Sequence, residues 1–170
     1  MGSLLRRSKT DGKKGSASDP EAPSLGVLVV NDDEDACELL CRVIQHTGAV
    51  AFRAHSAEGA IDELGAHQAS VRAVVLDFTS GTATSFSVLD AIRQDDTLAD
   101  LRVMIIATTP ANRSLAFESG VDEFLTRPFH VDEFTSAVGA MLARTPEERD
   151  AHRLEQAADA AATGGAADAG

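Results

Sequence analysis

Tryptophan and tyrosine are absent from this chain, and aromatic rings amount to seven phenylalanines in 170 residues. Its interior must therefore be filled by Leu, Ile, Val and Ala, and a hydrophobic content of 44% is enough to do so. Lysine is missing between residues 25 and 145, where eight arginines stand against eighteen acids, and the whole chain carries −12. That balance argues against nucleic acid binding as the main role, which needs a basic footprint. No apolar run approaches the roughly 20 residues of a membrane helix. The start, Met1 to Arg7, has no hydrophobic stretch of signal-peptide length. It also places Arg6 where a myristoylation pattern wants Ser or Thr. The chain is expected to be soluble and cytoplasmic. Cysteine occurs twice. Cys37 and Cys41 lie four apart in a helical pattern, and two thiols without neighbouring ligands read as core packing rather than as a metal or redox pair.

Composition divides the chain into three. Residues 1–24 have five basic groups, three acids and little apolar material to bury, so a disordered basic arm is expected, serving mainly as a solubilising linker. Residues 25–145 hold nearly all the periodic signal. Residues 146–170 are acidic and Ala-rich, and are expected to form a short polar helix through about Ala162 before dissolving into disorder. This tail is too short for an output domain, so the chain is expected to act alone.

Within 25–145, strand and helix signals alternate five times. Leu25 to Val30 reads as a buried strand, followed by a helix from about Glu34 to Thr47 with Leu39, Leu40, Val43 and Ile44 on one face and Gly48 past its end. Ala49 to Ala54 is a second, weaker strand, and Ser56 suits the N-cap of a helix to about Ala66. Ala73 to Leu76 is a short apolar run that ends on Asp77, the pattern of a strand buried on both faces. Ser85 is placed to cap a third helix with Phe86, Leu89 and Ile92 at spacings of three. Val103 to Ile106 is a fourth strand. Pro110 fits the first turn of a fourth helix that Gly120 ends. Glu123 to Leu125 is a fifth strand, and Phe134, Val138, Met141 and Leu142 mark the last helix.

This (βα)5 alternation demands a parallel sheet with helices on both faces, a doubly wound α/β fold whose common five-stranded order is 2-1-3-4-5. In that order strands 1 and 3 are neighbours, so Asn31-Asp32-Asp33-Glu34-Asp35 lies beside Asp77 in the crevice where such sheets bind ligands. Carboxylates on adjacent strand tips repel, and a hard cation such as Mg2+ would relieve the repulsion. The tip of strand 5 supplies a cation, Arg127, followed by Pro128. The remaining histidines show no ligand spacing, and His130 reads as the opening of the last helix. A flavodoxin-like cofactor site is disfavoured, because no glycine-rich phosphate loop follows strand 1 and its acids would repel a phosphate.

The motifs Val-Leu-Val-Val-Asn31-Asp32, Val-Val-Leu-Asp77, the apolar strand ending near Thr108 and Phe124-Leu-Thr-Arg127-Pro128-Phe129 together resemble the receiver domains of two-component response regulators, over roughly Leu25 to Arg144. The resemblance implies that Asp77 accepts a phosphoryl group from a histidine kinase, a phosphotransfer protein or a small donor, as a carboxylate nucleophile forming an acyl phosphate. It implies Mg2+ held by Asp32, Asp77 and the backbone carbonyl of Thr79, with Asn31 reaching it through water. Charge on the phosphoryl group would be met by the metal, by Arg127 and by the hydroxyl of Thr108. Phe124 and Pro128 would belong to the switch and output face, made by helix 4, strand 5 and helix 5. The Arg127–Pro128 bond would be cis. The chain would be a phosphoacceptor rather than an enzyme, with scope for self-catalysed transfer and autodephosphorylation. It would signal to an unidentified output protein and have no direct contact with nucleic acid.

Several positions depart from the family pattern. Asn31 replaces an acid, which removes one negative charge and should weaken Mg2+ binding. Arg127 replaces a lysine, exchanging a compact ammonium for a planar fork. The hydroxyl position at the end of strand 4 falls on Ala107, with Thr108 and Thr109 directly after. Gly81 stands where a proline is usual, Thr84-Ser85 where Asp-Gly is usual, and Phe124 carries no hydroxyl. Two functions are therefore expected to compete: a phosphoacceptor, and a phosphorylation-independent pseudo-receiver that serves as an interaction module.

Overall fold

The computed structural model describes residues 25–164. The basic arm and the extreme end of the acidic tail, both expected to be disordered, lie outside the described residues. Eleven elements follow in order: β1 (Gly26–Val30), α1 (Glu34–His46), β2 (Val50–Ala54), α2 (Ala57–His67), β3 (Val71–Leu76), α3 (Thr82–Gln94), β4 (Arg102–Ala107), α4 (Arg113–Glu118), β5 (Glu123–Thr126), α5 (Val131–Ala143) and α6 (Pro146–Gly164). The strands form one parallel sheet in the order β2-β1-β3-β4-β5. Both the doubly wound class and the strand order are those expected from the alternation.

Period-two alternation sends each strand's residues to two cores. Leu28, Val30, Val74, Leu76, Val103, Ile105 and Phe124 face α2, α3 and α4, whereas Val27, Val29, Ala73, Val75, Met104 and Ile106 face α1 and α5. Because the sheet is covered on both sides, β1 and β4 read as continuous apolar runs rather than alternating ones. Cys37 and Cys41 are buried on the α1 face with free thiols, as packing residues. The thiol of Cys37 points at the Val29 carbonyl (3.6 Å) and that of Cys41 at the Phe52 carbonyl (3.7 Å). Gly26 is required by packing: a Cβ there would lie 2.6 Å from the carbonyl oxygen of Ser70.

Helix starts bear out the sequence where a side chain caps them. Asp33 accepts from the N–H of Ala36 at the start of α1, and Ser56 accepts from Gly59 at the start of α2. Two starts fall elsewhere than expected. α3 opens one turn early, at Thr82 behind Gly81, and Ser85 lies buried inside it with an unpartnered hydroxyl. Pro110 belongs to the turn before α4, where Arg113 N–H closes on its carbonyl at 2.9 Å, so the helix is only six residues long. The tail forms a helix where one was expected, α6, over Pro146–Gly164, and nothing in the sequence signals that it packs along α4 and against the base of β5. No described helix is long and apolar enough to cross a membrane.

Candidate functional site

Register places the functional side chains. Val30 pairs with Leu76 across β1 and β3, so the next residues, Asn31 and Asp77, emerge level with one another. The backbone locks this arrangement, with Asp77 N–H donating to Val30 (2.9 Å) and Asn31 N–H donating to Ala54 (3.0 Å). Ala107 pairs with Thr126 across β4 and β5, and Arg127 N–H then donates to the Ala107 carbonyl at 2.8 Å. Three strand tips thus bring Asn31, Asp77 and Arg127 together, as the strand order requires.

Asp77 is 3% exposed, and one of its oxygens takes both neighbours. Asn31 Nδ2 donates to Oδ2 at 2.8 Å, and Arg127 Nη2 forms an ion pair with the same atom. Burial pushes the Asp77 carboxyl above the ordinary aspartate range, although the charge and hydrogen bond of Arg127 pull the other way. The Arg127 guanidinium also lies 5.5 Å from the centre of the Phe129 ring, which holds the fork on one side. The Asn31 amide is oriented by its other end, where Oδ1 accepts from the N–H of Asp33 at 2.8 Å. That bond fixes the sense of the amide, with its nitrogen on Asp77 and its oxygen on the backbone, and takes one of the two lone pairs of that oxygen.

Asp32 reaches across to the loop after β3. Its Oδ1 accepts from Thr79 N–H (2.7 Å) and its Oδ2 from the Thr79 hydroxyl (2.9 Å). The backbone bond from Thr79 holds the Asp32 carboxyl below its usual value. Gly81, in the same loop, has φ +110°, a conformation closed to proline and strained for other L residues. The unusual glycine is thus explained by the loop it permits.

Asp77, Thr79, Gly81, Thr82, Ala107, Thr108, Thr109 and Arg127 line a cavity of about 310 Å³. Ala107 ends β4 with its side chain in the α3–α4 core. Thr108 follows it, lining this cavity and also a neighbouring groove between α1 and α5 beside Arg127. All three candidates for the strand-4 hydroxyl position, Ala107, Thr108 and Thr109, border this cavity, and of the two that carry a hydroxyl Thr108 also borders the groove beside Arg127.

For a divalent cation the donor chemistry fits. Two carboxylates at adjacent strand tips, one oxygen of Asp77 uncommitted among the described residues, and a nearby backbone carbonyl are the oxygens Mg2+ takes alongside water. The set is lean: no cluster of three or more His, Cys, Asp or Glu residues suited to a metal occurs among the described residues.

Phe124 and Pro128, the residues expected at the switch and output face, lie on β5 and in the loop between β5 and α5. Phe124 is only 5% exposed and packs into the core beneath α4, because alternation along β5 turns it inward. Pro128 is exposed but lines the α1–α5 groove, away from α4. The bond before it is cis. His130 stands at the N-cap of α5, its N–H donating to Glu133 at 2.8 Å. One group was missed from the sequence altogether. Asp122, 1% exposed just before β5, gathers Arg93, Arg149 and Arg153. The only sequence signal was an acid abutting an apolar strand with no helix to cap.

Comparison with known proteins gives a consistent result. Residues 27–139 match the family described as response regulator receiver domain. A DNA-binding dual master transcriptional regulator, RpaA, from Synechocystis is 26% identical over 125 residues, covering 70% of this chain and 49% of that protein. The chain spans about half the length of the curated relatives it matches. Among solved structures, a response regulator from Chloroflexus aurantiacus aligns with a TM-score of 0.63 and 24% identity, covering 71% of this chain and 99% of the other. The Thermotoga maritima response regulator TrrA, solved with Mg2+ and BeF, aligns with a TM-score of 0.59 and 24% identity, covering 69% and 98%. At that identity the structures speak for the fold. With its sheet order, its strand-tip acids and the family match over most of its length, this chain belongs to the response regulator receiver family.

Proposed function

We propose that this protein is a phosphoacceptor in phosphorelay signalling, receiving a phosphoryl group on Asp77 and signalling through protein–protein contacts. The observation that carries this reading is a nearly buried carboxylate at the floor of a cavity, paired with a guanidinium and placed at the tip of β3. The uncommitted Oδ1 of Asp77 is the nucleophile. It attacks phosphorus, the bond from phosphorus to the donor breaks, and the donor leaves with the electron pair. Arg127 meets charge on the equatorial oxygens, and Thr108 offers a hydroxyl donor at the cavity wall. Asp32, Asp77 and the Thr79 carbonyl would hold Mg2+, which supplies positive charge to the transferring group when bound. The donor would be a sensor histidine kinase or a phosphotransfer protein.

Acetyl phosphate or phosphoramidate with Mg2+ tests the reading by intact mass spectrometry. One added phosphoryl group is expected, and none in Asp77→Asn. The engaged state of Asp77 and the Asn31 substitution favour one second reading, a phosphorylation-independent interaction module. An unmodified protein, under conditions that modify a standard receiver, selects that reading and rejects ours.

A further inference from the structure

The seam between α6 and the body has the geometry of a packed helix and the chemistry of a surface. Residues 149, 152, 153, 156, 157 and 160 recur at intervals of three and four and are the partly or fully covered positions of α6. They are Arg149, His152, Arg153, Gln156, Ala157 and Ala160, with no large aliphatic side chain among them. The one leucine of the helix, Leu154, points outward and is 73% exposed. Apolar burial, the usual reason a helix stays docked, is therefore nearly missing here.

Charge holds the helix in its place. Arg149 makes a two-pronged contact with Asp122, through Nε (2.8 Å) and Nη2 (3.2 Å), and Arg153 Nη2 adds a third bond at 2.9 Å. Arg93 approaches the same carboxylate from the body at 3.5 Å, and Val103 N–H donates to it at 2.8 Å. Three guanidinium groups thus share one carboxylate. Further along, Ser114 donates to the Ala157 carbonyl (3.3 Å), Arg113 bonds Gln156, and His152 stands edge-on to Phe117 beside Glu123. The bonding is also incomplete. Of the five buried side-chain nitrogen or oxygen atoms without a hydrogen-bond partner among the described residues, three are guanidinium Nε atoms along this seam or its entry, those of Arg102, Arg113 and Arg153, and a fourth, His152 Nε2, has Glu123 Oε1 near it at 3.4 Å. A permanent core rarely leaves so many donors unpaired in one place.

We infer that α6 is a displaceable cover over the α4–β5 surface, and that the covered surface is a docking site for a partner helix presenting two arginines one turn apart. Complementarity dictates the class of partner. Asp122 is a buried carboxylate that needs forked cations from above, Glu123 lies beside it, and Phe117 offers a ring at the next turn. An acidic or purely apolar helix would leave Asp122 with Arg93, at 3.5 Å, as its one counter-charge among the described residues. α6 is the occupant in cis, and a partner of the same chemistry competes with it. This inference stands apart from the chemistry of Asp77.

Hydrogen exchange on the full chain tests it. Asp122 and Arg149 are buried, so salt screens their pair only weakly, and exchange in the unperturbed chain is the readout. Amides of residues 146–163 should exchange on the order of tenfold faster than those of β1, β3 and β4. Arg149→Ala with Arg153→Ala should free the helix and let a labelled peptide of residues 146–163 bind the exposed face, as read by fluorescence anisotropy. A peptide with both arginines replaced by glutamine should not bind. Protection of α6 equal to that of the sheet, or loss of sheet protection together with it in the double variant, would show that α6 is part of the core and overturn the inference. A variant that dimerises by exchanging α6 between copies, or equal binding of both peptides, would overturn the assigned partner.

Discussion

Asp77 gives one oxygen to two donors and still holds its proton more tightly than a free aspartate, because burial outweighs the help of Arg127 and Asn31. A raised carboxyl binds more protons in the folded chain than in the unfolded one above the ordinary aspartate value of about 3.9. Stability contributed by this group is therefore present at low pH and lost as pH rises through the folded value. Asp77→Asn removes that loss while keeping an oxygen for both donors. The variant should melt about 2–4 °C above wild type at neutral pH, the shift that about 1 kcal/mol brings to a chain of this length. The advantage should shrink toward pH 4, and denaturant titrations across that range check both the size and the sign. Asn31 belongs to the same argument. Asn31→Asp restores a third carboxylate next to Asp32 and Asp77, and Mg2+ should bind about tenfold tighter or better, an increment of about 1.4 kcal/mol. An unchanged Mg2+ affinity by calorimetric titration would refute the idea that Asn31 weakens the metal site.

At the scale of elements, Asp122 is the anchor of α6. Its own burial would raise its carboxyl, but Arg149, Arg153 and the Val103 amide outweigh burial and hold it below the usual range. Asp122→Ala removes the carboxylate that Arg149 and Arg153 share, so α6 should lift and let both find solvent. That leaves only Arg93 without its partner, and a loss of about 1–3 kcal/mol rather than the roughly 3–5 kcal/mol of a buried pair broken in place. Urea unfolding of the variant measures it, and a loss of about 3–5 kcal/mol would mean that α6 stays down. The contrast with the sheet explains what the sequence disclosed. Val27–Val30, Val74–Leu76 and Val103–Ile106 announce themselves as apolar runs because both faces of a parallel sheet are covered, and strand order then sets Asn31, Asp77 and Arg127 side by side. α6 carries no such signal. Its inward residues are charged or small, so hydrophobic patterning reads it as solvated, and its docking depends on a carboxylate 27 residues away in sequence. The missed start of α3 has a different cause. Gly81 opens the helix through its positive φ, so no side-chain cap marks the spot.

At the scale of the whole molecule, the Asp77 cavity and the seam of α6 share one stretch of chain. Ala107, Thr108 and Thr109 form the cavity wall, and Pro110 to Asn112 make the turn, with Asn112 Nδ2 donating to Thr82 on the opposite lip at 2.8 Å. Arg113 and Ser114 then open α4 and hold Gln156 and Ala157 of α6. Thr109 to Ser114 also border a second cavity closed by Ala160, Ala161 and Thr163. A phosphoryl group on Asp77 brings about −1.5 to −2 charges into the first cavity and draws Arg127 and the Thr108 hydroxyl toward it. Movement of Thr108 then has to be absorbed by a six-residue helix whose other side touches α6 mainly through polar groups. Polar contacts near 3 Å are lost over small displacements, whereas the apolar cores around α1 and α5 tolerate them less readily and resist. Phosphorylation should therefore loosen α6 selectively. After treatment with phosphoramidate, amides of residues 146–163 should exchange several-fold faster than in untreated protein, while those of α1 stay unchanged, and Asp77→Asn should show neither effect. A fully modified protein with unaltered exchange in α6 would separate the two sites, leaving the cover to respond to its partner alone.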